Sequence, residues 1–456
     1  MTIVTIEEIV QATGGKVLCG KQEAFSGLSI DSRNIGNGEL FIALRGERFD
    51  GHDFVREALQ NGSGALVSLP PAEPGRQKTI IHVKNTLKAL QDLARFRRLK
   101  RNIPVVSVTG TNGKTTTKEL IVSILSQKHR VLKTTGNFNN HIGLPLCVSN
   151  MQGDEDYAVL EMGSNARGDI RELCRIVQPD LAVVTNVGQA HLEGFGSLEA
   201  VRDTDLEVLE HVETVSVNSD DRFLMQGMTG FTGKTILYGI ETSADFSARD
   251  IVPAQQGSRF ALCMPMNKVI EVSLKISGRF NVLNSLAAAS IACELGLSPE
   301  EIRQGLEAFT GVPMRLEIRR FSGALVINDV YNANPASMEE ALKELVRLKK
   351  GRTIAVLGDM LELGMYAEDA HRCLVNKMNE LQIDLLIAVG PEMQKASAAF
   401  YGSCHQAASS DEARSLLLGM VKENDTILIK GSRGISMEKV LAGEGQPVVT
   451  EVGNAL

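Results

Sequence analysis

The chain lacks the features of a secreted, membrane-spanning or nucleic-acid-coating protein. Its seven cysteines, in 456 residues, are scattered and odd in number and form no CxxC pair, so neither a disulfide framework nor a zinc site is indicated. No apolar run approaches the roughly 18 residues that a membrane span needs. Residues 1–11 carry two glutamates and no basic stretch of the kind that opens a secretory signal. A cytoplasmic protein is therefore expected. There is no basic tail or arm, and a net charge of -7 argues against non-specific nucleic-acid binding. What is present is an ordinary globular mixture, 43% hydrophobic and 23% charged, long enough for about three domains that each bury a core.

The most informative stretch runs from Val105 to Thr117. Four β-favouring residues, Val105 to Val108, lead into a turn containing Gly110 and Gly113, and an apolar-periodic run, Lys118 to Gln127, predicts a helix. In a strand–loop–helix of this kind, glycines let backbone N–H groups turn onto a phosphate, and the helix N-terminus adds favourable partial charge. Lys114 supplies a cation, and the Thr115 hydroxyl can ligate Mg²⁺. The strict eight-residue phosphate loop is absent, because its first glycine would fall on Val108. The shorter Gly110-Thr111-Asn112-Gly113-Lys114-Thr115-Thr116 remains, and it predicts binding of a nucleoside triphosphate.

Ahead of this loop, alternating strand and helix patterns make a small α/β module over residues 1–84. A helix opening at Thr5, Glu7 and Glu8 stops at Gly14-Gly15. Strands are predicted at Leu28–Ile30, Glu39–Leu44, Ala65–Ser68 and Thr79–Val83, the last two around a loop with Pro70, Pro71, Pro74 and Gly75. A helix is predicted at His52–Asn61. Polar residues at strand ends, Ser29, Asp31, Ser32 and Arg33 and then the Arg45–His52 stretch with Asp50 and His52, suit a ligand rich in donors and acceptors; they equally suit a capped turn and a solvated loop.

A basic helix, Asn85–Arg101, opens a central domain over 85–312. Strands Tyr157–Glu161 and Leu181–Thr185 place Glu161 and His191 near strand carboxyl ends, where functional groups of parallel sheets collect. With the phosphate loop present, both are candidate metal ligands. Asn281 and Asn284 share one face of an alanine-rich helix, where their amides could read an adenine edge or simply cap and pack. From 313 to 456 a repeated βα alternation predicts a doubly wound third domain, with strands at Ala324–Asp329, Thr353–Leu357, Asp384–Val389 and Thr426–Lys430. The stretches 358–364 and 430–434, the latter containing Lys430 and Ser432, follow two of these strands at the expected ligand edge. Neither has GxGxxG spacing.

The phosphate loop, the Glu161 strand end, Asn186 to His191, and Asn281 with Asn284 together resemble the Mur ligase family, and the resemblance extends over essentially the whole chain. It implies a three-domain α/β fold: a small uridine-binding domain, a central P-loop-type ATPase domain with a mostly parallel sheet, and a C-terminal Rossmann-like doubly wound domain. It also implies an ATP- and Mg²⁺-dependent ligase acting as a monomer in peptidoglycan precursor synthesis. In that reading Lys114, Glu161 and His191 are catalytic, and Thr115, Glu161, His191 and Asp205 hold metal. Gly110 to Thr116, Asn281, Asn284, Arg315 and Asp329 hold nucleotide, while Ser29, Asp31, Ser32, Arg33, Asp50, His52, Asn332, Asn334, Lys430 and Ser432 contact substrates. The 329–338 and 357–364 stretches resemble the member that adds D-alanyl-D-alanine to UDP-N-acetylmuramoyl-tripeptide, and the Asp-Asn-Pro-Arg signature of the diamino-acid-adding member is missing. The diamino-acid-adding member, folylpolyglutamate synthase and a weakly catalytic binding paralogue stay as alternatives. One departure stands out. The resemblance places a carbamylated lysine, whose carbamate carries metal, at position 205, yet the residue is Asp205, and no lysine occurs between His191 and Lys234.

Overall fold

The computed structural model describes residues 3–46, 49–71, 78–254 and 257–443. Pro74 and Gly75 of the expected loop, Glu47 and Arg48, and the chain beyond residue 443 lie outside the described residues.

Among the described residues three large sheets organise the chain, beside a two-stranded pairing of Val4–Thr5 with Ala24–Phe25. The first has the order Lys16–Cys19, Thr79–His82, Gly64–Val67, Glu39–Ile42, Gly27–Ser29, parallel except for the antiparallel Lys16–Cys19 edge. Its opening helix, Ile6–Thr13, is bounded as expected, by a Thr5–Glu8 capping box and a left-handed Gly14. The expected boundary at 84/85 falls where the helix Thr86–Lys100 begins. That helix serves two modules: Ala89, Leu90 and Leu93 enter the core of the first sheet, and Leu146 of the short helix Gly143–Ser149 joins them there.

The central sheet has nine strands, with Val105–Thr109 flanked by Tyr157–Glu161 on one side and Leu181–Val184 on the other. The alternation in these strands sends Val106, Val108, Val159 and Val183 to one core and Val105, Ala158, Leu160 and Ala182 to the other. Burial on both faces is what a parallel sheet covered by helices requires. The chain runs from Val105–Thr109 to the far edge, Val131–Lys133, returns to Tyr157–Glu161, and then crosses to Leu181–Val184. The loop after Val105–Thr109 therefore lies at the point where strand order reverses, the crevice in which doubly wound sheets bind ligands. The far end is an antiparallel meander of Phe246–Pro253, Ser258–Met264 and Lys268–Leu274.

The third sheet runs Glu317–Phe321, Ala324–Asp329, Thr426–Lys430, Thr353–Gly358, Leu385–Val389, Ser403–Ala407, parallel apart from its first strand. Register pairs Asp329 with Lys430 at the carboxyl ends of adjacent strands. Two edge strands, Glu317–Phe321 and Ser403–Ala407, and the helix Pro391–Ser397 were not expected from the pattern.

Candidate active site

The helix after the phosphate loop begins at Lys114, four residues before the expected start at Lys118, because Gly113 with φ 84° turns the chain directly into it. Lys114 thus stands in the first helical turn, where N–H groups are free for an anion. Gly110 has φ 115°, and a Cβ there would lie 2.3 Å from Thr185 Oγ1; one on Gly113 would lie 2.4 Å from Asn284 Oδ1. Only glycine fits this cradle.

The loop is held from the neighbouring strand. Asn186 Oδ1 accepts from the Asn112 N–H at 3.0 Å and its Nδ2 donates to the Asn112 carbonyl at 2.9 Å, while the Gly188 N–H donates to Thr111 Oγ1 at 2.8 Å. Lys114 Nζ folds over the loop onto the Gly110 and Thr111 carbonyls. Burial depresses its pKa, against the pull of Asp205 and Glu161.

Glu161 ends its strand buried beside this loop. Asn139 Nδ2 donates to its Oε1 at 2.9 Å, and Oε2 has no partner among the described residues. A buried carboxylate oxygen left unsatisfied is costly unless something binds it, and a hard cation suits it. Asp205, 2% exposed, ends the helix Leu198–Asp205, and its Oδ1 accepts from Thr109 Oγ1 at 3.0 Å. Burial lifts its pKa to about 6, opposed by Lys114. Among the described residues no three His, Cys, Asp or Glu side chains form a metal cluster by themselves. The open Glu161 Oε2 is a hard oxygen of the kind Mg²⁺ takes, since that ion binds through one or two carboxylates and completes its shell with phosphate and water, whereas Asp205 and the Thr115 hydroxyl already have protein partners.

Asn284 and Asn281 support the loop from below: Thr117 Oγ1 donates to Asn284 Oδ1 at 3.3 Å, Asn284 Nδ2 to Asn281 Oδ1 at 3.2 Å, and Asn281 Nδ2 to the Ser277 carbonyl at 2.6 Å. Both line the same cavity as the loop.

The carboxyl edge of the third sheet closes this cavity, whose volume is about 600 Å³. Arg315 donates to Thr115 Oγ1 at 3.1 Å and lies 4.1 Å over the Tyr331 ring. Lys430 Nζ bonds Asp329 at 2.6 Å and the Asn332 carbonyl at 2.8 Å; burial lowers its pKa against the pull of Asp329. Asn112 and Asn334 exchange amide bonds across the cleft, and His191 Nδ1 meets Glu362 Oε2 at 2.6 Å. Ser432 lies behind this wall, its N–H on the Asp359 carbonyl and its Oγ accepting from the Leu361 N–H at 2.9 Å.

The residues singled out in the first domain line a different region. Asp31 is gripped by Arg33, whose hydrogen bonds hold its pKa down to about 2, and Ser29 Oγ accepts from the Asp31 N–H. Asp50 Oδ1 lies 2.6 Å from His52 Nδ1, and His52 Nε2 accepts from the Ser68 N–H at 2.9 Å, so this pair shapes the loop's own backbone. Ser32 is buried and Arg33 exposed. Asn139, Asn186 and Glu362 were missed as site residues; the polar run 137–140 and the strand-end position of Asn186 carried a signal, while the partner of Glu362 lies in another domain.

Three family models match: "Mur ligase family, catalytic domain" over residues 24–98, "Mur ligase middle domain" over 108–292, and "Mur ligase, glutamate ligase domain" over 314–433. The UDP-N-acetylmuramoyl-tripeptide–D-alanyl-D-alanine ligase of Bacillus subtilis is 37% identical, covering 96% of this chain and 97% of its own length. The chain belongs to the Mur ligase family. Among solved structures of Mur ligases, MurF from Acinetobacter baumannii superposes with a TM-score of 0.89 at 32% identity, covering 96% of this chain and 98% of that one. MurF ligase from Thermotoga maritima, in complex with ADP, does so with a TM-score of 0.81 at 31% identity over 91% and 96%. The three-domain α/β architecture expected for a Mur ligase is thus present.

Proposed function

We propose that this Mur ligase joins D-alanyl-D-alanine to UDP-N-acetylmuramoyl-tripeptide at the expense of ATP, as a cytoplasmic monomer, with residues 1–84 holding the UDP-sugar, 85–312 the nucleotide and 313–456 the dipeptide. The observation that carries the reading is the meeting of two ligand edges around one cavity: the phosphate loop with Glu161 on one side, and Arg315, Asp329 and Lys430 on the other. Relatives named for this reaction, alike over nearly the full chain, supply the substrates.

A carboxylate is a poor electrophile. Its activation as an acyl phosphate, followed by attack of an amine and loss of phosphate, needs alignment and charge neutralisation more than covalent help. Loop N–H groups and Lys114 would hold the phosphates, and Arg315, already on Thr115, would add a second cation from the C-terminal domain. Thr115, Glu161, His191 and Asp205 would hold Mg²⁺, which when bound neutralises phosphate charge. Asn332, Asn334 and Lys430 would bind the acceptor, with Lys430 placed to attract a terminal carboxylate, while Ser432, buried behind them on the Leu361 N–H, supports the loop rather than touching the acceptor. Ser29, Asp31, Ser32, Arg33, Asp50 and His52 shape the loops that receive the uridine diphosphate.

The test is phosphate release from ATP with UDP-N-acetylmuramoyl-tripeptide as donor, comparing acceptors. D-Alanyl-D-alanine should far exceed L-lysine, diaminopimelate or glutamate. Release with a free diamino acid and none with the dipeptide would move the assignment to the diamino-acid-adding activity; binding without release under any acceptor would mark a non-catalytic paralogue.

A further inference from the structure

The contact between His191 and Glu362 joins two domains through two residues that each hold a left-handed backbone, φ 53° and φ 64°. Neither residue adopts that conformation without cost, and such strain persists where surrounding structure over-determines it. Here it does. The Met360 N–H donates to His371 Nε2 at 2.9 Å, the Leu361 N–H to Ser432 Oγ at 2.9 Å, and the Met393 N–H to Asp359 Oδ1 at 2.7 Å. His371 is fully buried and fixed through Nδ1 on the Ala367 carbonyl at 2.7 Å. The loop so braced carries Glu362 to the start of the helix Leu192–Phe195, where the Glu193 N–H donates to the Glu362 carbonyl at 3.2 Å and the carboxylate reaches His191 Nδ1.

A carboxylate only accepts, so the neutral imidazole must carry its proton on Nδ1 to make this bond. That leaves Nε2, the other polar atom of a ring lining the cavity, as a lone pair. Carboxylate partners of this kind orient histidine ligands and raise their basicity. Because Glu362 belongs to the third sheet's domain and His191 to the central one, the orientation exists only while the two are docked.

We propose that Glu362 is a positioning residue: through it the C-terminal domain sets the tautomer and direction of the His191 imidazole, so that an unprotonated Nε2 faces the cavity only when that domain is seated. The inference rests on the ligase reading for its purpose, which is to keep ATP from being spent while the acceptor domain is away. The tautomer itself does not depend on that reading.

Two measurements test it. In full-length protein labelled with ¹⁵N-histidine, without nucleotide and at about pH 8.5, above the ordinary imidazole range of about 6.5, the His191 signals are assigned by their loss in His191→Gln. Wild type should show the Nδ1-protonated form. Glu362→Ala, and Glu362→Asn, which tolerates the left-handed backbone but is too short to reach, should shift His191 toward the Nε2-protonated form. Glu362→Gln, which keeps an acceptor oxygen, should stay close to wild type. An Nε2-protonated wild type, or the same tautomer in all four proteins, would overturn the proposal. In the phosphate-release assay the Mg²⁺ concentration for half-maximal rate should rise about 10- to 100-fold in Glu362→Ala and Glu362→Asn, with the KM for the UDP-tripeptide unchanged; an unchanged Mg²⁺ requirement, or a loss confined to that KM, would also overturn it. Failure of wild type to release phosphate with any acceptor would instead strike the ligase reading, and the ¹⁵N result would then decide the positioning role by itself.

Discussion

Asn112 and Asn334 face each other as a reciprocal amide pair: Asn334 Nδ2 donates to Asn112 Oδ1 at 2.8 Å, and Asn112 Nδ2 to Asn334 Oδ1 at 3.4 Å. One residue sits in the phosphate loop. The other is the N-cap of the helix Pro335–Arg347 in the C-terminal domain, where its Oδ1 also accepts from the Ser337 N–H. The loop that would hold phosphate is therefore bonded directly to the element that would hold the acceptor.

This pair predicts two separable effects. Asn112→Ala removes only the cross-domain bonds and should raise the KM for ATP about fivefold, the equivalent of one neutral hydrogen bond of about 1 kcal/mol. Asn334→Ala should do the same and also lose about 1 kcal/mol of stability with the helix cap. In the double variant the KM effects should fail to add, because each single change already breaks the same contact. Steady-state kinetics and thermal melts on the four proteins check both points; additive KM effects would mean that the pair is not a coupling element.

The loop glycines make a sharper test of geometry. Gly110→Ala would set a Cβ 2.3 Å from Thr185 Oγ1 and 2.9 Å from the Thr185 backbone nitrogen, at φ 115°. Gly136→Ala, at φ 56°, would meet nothing within 4 Å. The first should lose ATP-dependent ligation by at least about 100-fold, since a misplacement of about 1 Å in a positioning group costs that much. The second should cost about 1 kcal/mol of stability and leave the rate alone. Comparable rates for the two variants would show that the loop does not need its present shape.

Acid stability should depend on Glu8. Its side chain, 13% exposed, bonds Arg97 at 2.8 Å and Lys100 at 2.6 Å, tying the first helix to the Thr86–Lys100 helix. Burial pushes its pKa up, but Lys100 and Arg97 together overcome this and hold it below 4.5. A depressed carboxylate pKa contributes stability that is present above the ordinary value and lost as pH falls through the folded one. Glu8→Gln should thus be less stable than wild type by about 2 kcal/mol at neutral pH, and the gap should close as pH falls below about 4. Melting curves of both proteins across that range decide it.

Several of these elements were legible because local pattern and tertiary role agree. The valine-rich run Val105–Val108 is buried on both faces, and the capping box at Thr5 opens a helix whose apolar face is in the first core. Glu161 and His191 could be singled out because strand-end position is readable from sequence. Edge strands were not legible: Glu317–Phe321 has only two apolar residues, separated by the consecutive Arg319 and Arg320, and most of Ser403–Ala407 is exposed, so neither shows an apolar run. The contacts from Asn112 to Asn334 and from His191 to Glu362 were also hidden. They depend on how two independently patterned domains dock, which no local period encodes.

Asp205 supplies the last prediction, because it stands where the family resemblance places a metal-bearing lysine carbamate. Its carboxylate is buried on Thr109 Oγ1 beside Lys114, with its pKa lifted from 3.8 to about 6. A raised carboxylate pKa means that the folded state binds the proton more tightly than the unfolded one. The contribution of Asp205 to stability is therefore greatest at low pH and falls as pH rises from about 4 to about 6. At pH 7.5 the ionised group costs about 2–3 kcal/mol. Asp205→Asn keeps an acceptor for Thr109 and removes the charge, so it should melt higher than wild type at pH 7.5 and no differently near pH 4. If the charge is kept in place for Mg²⁺, the same variant should need about tenfold more Mg²⁺ for half-maximal ligation, and wild-type ligation should be indifferent to removal of bicarbonate and CO₂. A variant more stable but equally active at every Mg²⁺ concentration would show that the Asp205 carboxylate bears no metal; loss of wild-type activity on removal of CO₂ would show that a carbamate forms elsewhere in the site.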